Sequence, residues 1–141
     1  MEYKEIGKRL MKITKLRKDM IWKLTSDDSM HFGQLPILEF IKEHDGCIQS
    51  EIAIGRGVTA PTIAASCKRL EQSGLISRCA DENDRRINRL YATERGRLLS
   101  QKCREAFDEM DRRCFSSLSE EELHTLVGLL DKIISGIEVE K

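Results

Sequence analysis

The feature that most constrains the fold is a helix whose two ends are both marked, over residues 60–73. Thr59 is a good N-cap, and Pro61 lies in the first turn, where its missing amide donor has no consequence. Gly74 can adopt the left-handed conformation that ends a helix, and Leu75 is placed for the accompanying apolar contact. A helix fixed at both ends limits which elements can precede and follow it.

Two short apolar runs follow this helix and predict a two-stranded hairpin. They are LISRCA and NRLYAT, separated by the polar tip DENDRRI. A hairpin by itself is marginal in water and needs helices to pack on. The periodicity before it predicts helices over about 33–43 and in IQSEIAIGRG, which Gly57 ends. The middle of the chain is therefore predicted to be a winged helix-turn-helix.

Long amphipathic helices are predicted at both ends of the chain. Apolar residues recur every three or four positions from Tyr3 to Leu24, after Thr93, and after a capping box formed by Ser119 and Glu122. These stripes are more apolar than one small domain requires, and joining the equivalent stripes of two chains would bury them. We therefore expect a symmetric homodimer.

The predicted architecture is mainly α with a small β-hairpin wing, in one domain over 1–141. The winged helix-turn-helix is expected over 31–98, and a helical dimerisation region over 1–30 and 99–141. The sequence has neither the apolar core of a signal peptide nor the roughly 18 uninterrupted apolar residues of a membrane span. We therefore expect a soluble, cytoplasmic protein without a membrane partner.

The net charge of zero hides an alternating charge distribution. Residues 1–24 carry eight basic against three acidic side chains, and residues 48–98 carry nine against six. Acidic side chains are in excess over 25–47 and 99–141. Overall neutrality therefore does not exclude a nucleic-acid partner, because only the basic regions need to meet phosphates.

The helix over 60–73 is predicted to turn a small and basic face to solvent. At about 100° per residue, its polar positions fall opposite its apolar ones. Thr62 can meet a phosphate or a base edge in the major groove, and Lys68 or Arg69 can neutralise phosphates. The predicted DNA-binding residues are Thr59, Pro61, Thr62, Ala65, Lys68, Arg69, Arg85 and Arg86. An ordinary solvated helix face is the alternative interpretation.

The hairpin tip gathers opposite charges. Beside a groove-bound helix, such a tip can reach the minor groove, where an arginine finds concentrated negative potential. Arg86, or its neighbour Arg85, is the predicted probe. A carboxylate can hold a guanidinium in a fixed orientation by paired hydrogen bonds, and Asp84 and Asp81 are the predicted holders. The alternative is a solvated charged turn.

Together these residues resemble the MarR family of bacterial transcription regulators. In that family Pro-Thr opens the recognition helix, Arg-Leu-Glu closes it, and a wing rich in acids and arginines leads to Thr-x-x-Gly. The matching segments here are Pro61-Thr62, Arg69-Leu70-Glu71, Asp81 to Arg86 and Thr93 to Gly96. The similarity also includes Gln49 to Ala53 and the terminal helices, so it covers essentially the whole chain.

The resemblance implies a homodimer on a pseudo-palindromic operator, usually repressing nearby genes, with small molecules or oxidants weakening the binding. It also implies that Arg86 is the wing arginine and Asp84 its partner. Three departures from the family pattern bear on affinity and local structure. Ala65 stands where arginine is frequent, Asn83 where the wing often has another basic residue, and Ile48 where serine or threonine usually caps the third helix.

The sequence is compatible with two kinds of regulation, by a small ligand or by oxidation. A ligand pocket is predicted near the junction of the first two helices, with a filled apolar core as the alternative. Its candidate residues are Trp22, Met30, His31, Phe32 and Phe40. Cys103 and Cys114 lie eleven residues apart on one helix face and are the candidates for redox sensing.

Other functions receive less support from the residues. His44 and Cys47 could offer zinc ligands with His31, but no tetrahedral set is visible, so we predict no metal and no cofactor. No nucleophile with a base, glycine-rich phosphate loop or carboxylate pair has motif spacing, so we predict no enzymatic activity. A winged helix that binds another protein is the competing class.

Overall fold

The computed structural model describes residues 2–25 and 32–139, except for the side chain of Phe32. In chain order its elements are α1 (Tyr3–Thr25), a 3₁₀ turn (Phe32–Gln34), α2 (Leu35–Glu43), α3 (Gln49–Arg56), α4 (Ala60–Gln72), β1 (Ile76–Ala80), β2 (Asn88–Ala92), α5 (Glu94–Phe115) and α6 (Glu120–Glu138). The predicted fold, mainly α with a β-hairpin wing, is confirmed. The α-helical part of α2 begins two residues later than predicted, because the 3₁₀ turn takes the place of its first turn.

The chain forms two compact units, which we call the winged unit, Thr25–Glu105, and the outer-helix unit, Met1–Leu24 with Ala106–Lys141. A single apolar cluster holds the winged unit together, with contributions from α2 to α5 and both strands. Its buried members are Ile37, Leu38, Ile41, Cys47, Ile52, Ile63, Cys67, Leu70, Leu75, Ile76, Leu90, Leu99 and Cys103. The hairpin therefore packs on helices, as a two-stranded sheet must.

The wing is also joined by its backbone to the turn between α2 and α3. β1 and β2 are antiparallel, with Ile76 opposite Ala92. Beyond this pair, the Leu90 N–H donates to the Cys47 carbonyl at 2.8 Å, and the Gly46 N–H donates to the Leu90 carbonyl at 2.9 Å. Gly46 has a backbone φ of +82°, which residues that carry a side chain rarely adopt. The wing base is thereby fixed to the helix-turn-helix.

The ends of α4 and α6 follow the sequence prediction closely. α4 ends at Gln72, and Gly74 has the predicted left-handed conformation at φ +74°. The predicted capping box of α6 is confirmed. The Ser119 N–H donates to the Glu122 carboxylate at 2.8 Å, and the Glu122 N–H donates to Ser119 Oγ at 3.2 Å.

The predicted side-chain cap at Thr59 is wrong. Its hydroxyl lies 2.9 Å from the hydroxyl of Thr62 and accepts no amide hydrogen of the first turn. At the start of α3, Ile48 has no side-chain acceptor to offer, but its N–H donates to the Glu51 carboxylate at 3.1 Å. Half of a capping box therefore remains at this helix end.

α5 begins in close contact with the end of α4. The Thr93 N–H donates to the Leu75 carbonyl at 3.1 Å, and the Thr93 hydroxyl donates to the Gly74 carbonyl at 2.6 Å. The same hydroxyl accepts the Gly96 N–H at 3.0 Å, which caps α5 as predicted. A Cβ atom at Gly96 would overlap the carbonyl oxygen of Leu75, so the approach requires glycine.

A polar cluster on α2 and α5, which we call the α2–α5 cluster, lies beside the apolar one. The Ser100 hydroxyl is fully buried and donates to Glu39, and Lys42 Nζ donates to Ser100 Oγ at 3.0 Å. Glu39 also pairs with Lys42 at 3.1 Å and Arg104 at 2.8 Å. Burial acts to raise the pKa of Glu39, but the hydrogen bonds from Ser100 and Lys42 and the two positive charges lower it below its usual value.

This lowered pKa predicts acid sensitivity of the α2–α5 cluster. A carboxylate whose pKa is lower in the folded state stabilises the fold above its unfolded pKa, 4.5, and the contribution is lost as the pH falls through the folded pKa. We therefore expect Glu39→Gln to reduce the loss of unfolding free energy below about pH 4.5. Urea denaturation across this pH range measures it, with Glu43→Gln on the exposed side of α2 as control. An unchanged pH profile in Glu39→Gln would contradict the assignment.

Candidate nucleic-acid interface

The solvent face of α4 presents every residue that the sequence analysis placed there. Ile63, Cys67 and Leu70 are fully buried beneath it. The exposed residues of this face are Thr59, Pro61, Thr62, Ala65, Lys68 and Arg69. The face is small at its N-terminal end and basic further along, because a buried apolar stripe fixes the rotation of the helix.

The wing tip holds one arginine in a defined orientation. Arg86 Nε donates to Asp84 Oδ1 and Nη2 donates to Asp84 Oδ2, both at 3.0 Å, and the Arg86 N–H also donates to Oδ1 at 3.1 Å. The Arg86 side chain remains 91% exposed. The hydrogen bonds from Arg86 lower the pKa of Asp84, since they favour the charged carboxylate that accepts them. Arg85 is exposed as well.

Asp81 has a different partner from the predicted one. We expected it to hold Arg85 or Arg86, but its Oδ1 accepts a hydrogen bond from Arg89 Nε at 2.8 Å. Arg89 Nη1 also donates to the Gly46 carbonyl at 2.9 Å. Sequence reasoning missed Arg89, because one of its partners lies 43 residues away.

The predicted aromatic pocket is described only in part. Phe40 stacks on His44 with ring centroids 4.1 Å apart and packs on the core of the winged unit. Trp22 is 61% exposed in the outer-helix unit. Met30, His31 and the side chain of Phe32 lie outside the described residues. The ligand pocket therefore stays a prediction.

The two candidate redox cysteines lie on α5, where Cys103 is buried and Cys114 is half-buried. An eleven-residue spacing on a helix corresponds to about 16 Å, beyond the roughly 7 Å limit for the Cα atoms of a disulfide. Redox sensing thus stays a prediction that needs a different partner for each thiol. Burial raises the pKa of Cys47 and Cys67 to about 11, which disfavours their reactive thiolate form.

Within 2–25 and 32–139, no three His, Cys, Asp or Glu side chains come together in a way that could hold a metal ion. Over the same residues, the helices are too short or too polar to cross a bilayer.

A three-helix unit with an exposed α4 and a hairpin packed beside it defines a winged helix-turn-helix protein. The MarR family profile matches residues 29–87. The HTH-type transcriptional regulator BilQ of Clostridium symbiosum (strain WAL-14163) is 33% identical over 106 residues, which are 75% of this chain and 74% of BilQ. The HTH-type transcriptional regulator YybA of Bacillus subtilis (strain 168) is 31% identical over 106 residues, covering 75% and 71% of the two chains.

The structural comparison agrees with these relatives. A solved structure of an S. aureus MepR mutant bound to an oligodeoxyribonucleotide has a TM-score of 0.67 and 27% identity, and the match covers 97% of this chain and 99% of MepR. The chain belongs to the MarR family of transcriptional regulators. It is a regulator and not an enzyme.

Proposed function

We propose that the chain is a cytoplasmic, homodimeric repressor that binds a pseudo-palindromic operator in double-stranded DNA. The observation that carries the proposal is the Asp84–Arg86 pair, which holds an arginine side chain that is 91% exposed at the wing tip, in the same unit as the exposed face of α4. A fixed, exposed arginine is what minor-groove binding uses. The relationship to MepR, solved with an oligodeoxyribonucleotide, supports the same partner.

In this proposal α4 lies in the major groove. Pro61, Thr62 and Ala65 let the helix approach the base edges, and Lys68 and Arg69 neutralise phosphates. Relatives often have arginine at the position of Ala65. We therefore expect α4 of this chain to make fewer base contacts. The wing arginine consequently carries a larger share of the affinity.

The homodimer is proposed to form through the helical regions 1–30 and 99–141, leaving 31–98 for DNA. In the described part of the chain, α1 and α6 expose many large apolar side chains to water. On α6 they are Val127, Leu129, Leu130, Ile133, Ile134 and Ile137. A second copy would bury them and would place two winged units on half-sites about one helical turn apart.

The regulation that we propose is relief of repression by a small ligand. Its support lies in the winged unit, where the partly buried Phe40 ring offers aromatic surface to an apolar molecule. Redox sensing through Cys103 or Cys114 is the alternative, and loss of DNA binding on treatment with peroxide would favour it.

Arg86→Ala tests the DNA proposal. A duplex enriched from a random library by the wild-type protein is titrated by fluorescence anisotropy, at about 50 and 200 mM salt. We expect steep weakening with salt for the wild type and about ten-fold weaker binding for Arg86→Ala. Arg95→Ala, which removes an exposed arginine from α5, is the charge-matched control and should bind nearly as tightly as wild type. Failure to enrich any duplex, or equal affinity of Arg86→Ala and wild type, would refute the proposal.

A further inference from the structure

The guanidinium of Arg89 connects the wing to the helix-turn-helix through two of its nitrogens. From β2, its Nε donates to Asp81 Oδ1 at 2.8 Å, and its Nη1 donates to the Gly46 carbonyl at 2.9 Å. Gly46 belongs to the turn between α2 and α3, and Asp81 directly follows β1. The side chain thus connects the start of the wing tip to a part of the fold that the core holds in place.

Asp81 also forms hydrogen bonds with the backbone of the tip. Its second oxygen, Oδ2, accepts the N–H groups of Asn83 and Asp84 at 3.1 and 3.0 Å. The Asp81 N–H donates to the Ile87 carbonyl at 2.9 Å, and the Ile87 N–H donates to the Asp84 carbonyl at 3.0 Å. The backbone at Asp84 is therefore fixed from both sides.

Asp84 in turn fixes the orientation of Arg86 by the paired hydrogen bonds described above. A continuous series of hydrogen bonds therefore leads from Gly46 through Arg89, Asp81 and Asp84 to the exposed guanidinium. Since a free arginine loses side-chain entropy when it binds, an arginine that is already oriented binds more tightly.

We propose that Arg89 is a positioning residue of the DNA-binding surface, which orients Arg86 toward duplex DNA without contacting the duplex itself. The inference rests on the proposed function. The fork geometry is essential to it, because Arg89 serves two acceptors with two different nitrogens. A lysine would keep the charge at position 89 but has one ammonium group for acceptors that the guanidinium reaches separately.

A double-mutant cycle separates positioning from direct contact. Wild type, Arg89→Ala, Arg86→Ala and the double variant are titrated with the enriched duplex. We expect Arg89→Ala to weaken binding about five-fold in the wild-type background, but less than about two-fold when Arg86 is already alanine. Equal weakening in both backgrounds would mean that Arg89 binds DNA directly, and no weakening in the wild-type background would mean that it has no role. Either result overturns the proposal.

Arg89→Lys and the folding of each variant complete the experiment. Arg89→Lys is expected to bind as weakly as Arg89→Ala, and full affinity would show that charge alone is needed, against the proposal. Urea denaturation checks that the substitutions at 86 and 89 change the unfolding free energy additively, so that non-additive binding is not a folding effect. If the wild type binds no duplex, the proposed function fails. If the wild type binds the duplex but the effects of the Arg86 and Arg89 substitutions on binding are additive, the positioning role fails and the proposed function stands.

Discussion

Ile134→Glu is expected to make the protein monomeric and to weaken its binding to operator DNA by about 100-fold. Ile134 lies on the apolar stripe of α6 and is 51% exposed in the described chain. A partner helix packed on this stripe would have to bury the new carboxylate without a counter-charge, which strongly opposes association. A monomer then binds one half-site at a time and loses the high effective concentration of the second. Size-exclusion chromatography with light scattering measures the mass, and anisotropy measures the affinity.

The neighbouring residue provides a matched control for this prediction. Ser135→Glu introduces the same side chain one position along α6, about 100° around the helix and off the apolar stripe. It is expected to remain dimeric and to bind DNA normally. A dimeric Ile134→Glu would show that α6 does not form the interface. Equal disruption by both substitutions would point to charge repulsion over the whole helix instead.

Gly96→Ala is expected to lower the free energy of unfolding by about 3 kcal/mol. The new methyl group would overlap the Leu75 carbonyl, which is backbone and already accepts the Thr93 N–H. Relief would require α5 to move away from the end of α4, with loss of the hydrogen bonds of Thr93. Urea denaturation at a fixed protein concentration measures the change, because dimerisation makes apparent stability depend on concentration.

Gly128→Ala is the control for helix propensity. Nothing lies within 4 Å of a Cβ at Gly128, and the residue is exposed on α6. The same substitution there should raise the free energy of unfolding by about 0.5 to 1 kcal/mol, because alanine favours helix over glycine. If Gly96→Ala were neutral or stabilising as well, the close contact between α5 and Leu75 would be refuted.

Local chemistry made much of the fold predictable from the sequence. The ends of α4 depend on Pro61 and Gly74, whose backbone preferences act without distant partners. The capping box of Ser119 and Glu122 spans three residues and needs no tertiary information. Thr59 shows where this reasoning stops, because a hydroxyl can turn to another side chain instead of the helix amides.

The candidate site likewise contains one interaction that the sequence could predict and one that it could not. The Asp84–Arg86 pair could be anticipated because its members are two residues apart. The bond from Arg89 to Gly46 could not, since it joins residues 43 apart that meet only after the wing has packed on the turn between α2 and α3. A charged residue with several candidate partners nearby in sequence gives no indication that its partner is a distant carbonyl.

The α2–α5 cluster restricts how this sequence can drift over evolutionary time. The buried Ser100 hydroxyl and the Glu39 carboxylate each serve more than one partner, so exchanging either of them leaves a polar group of the cluster without compensation. Neutral change at Glu39 or Ser100 therefore has to pass through a less stable intermediate or be preceded by a compensating substitution. We expect the four positions to change together, although they stand on two helices and about 60 residues apart.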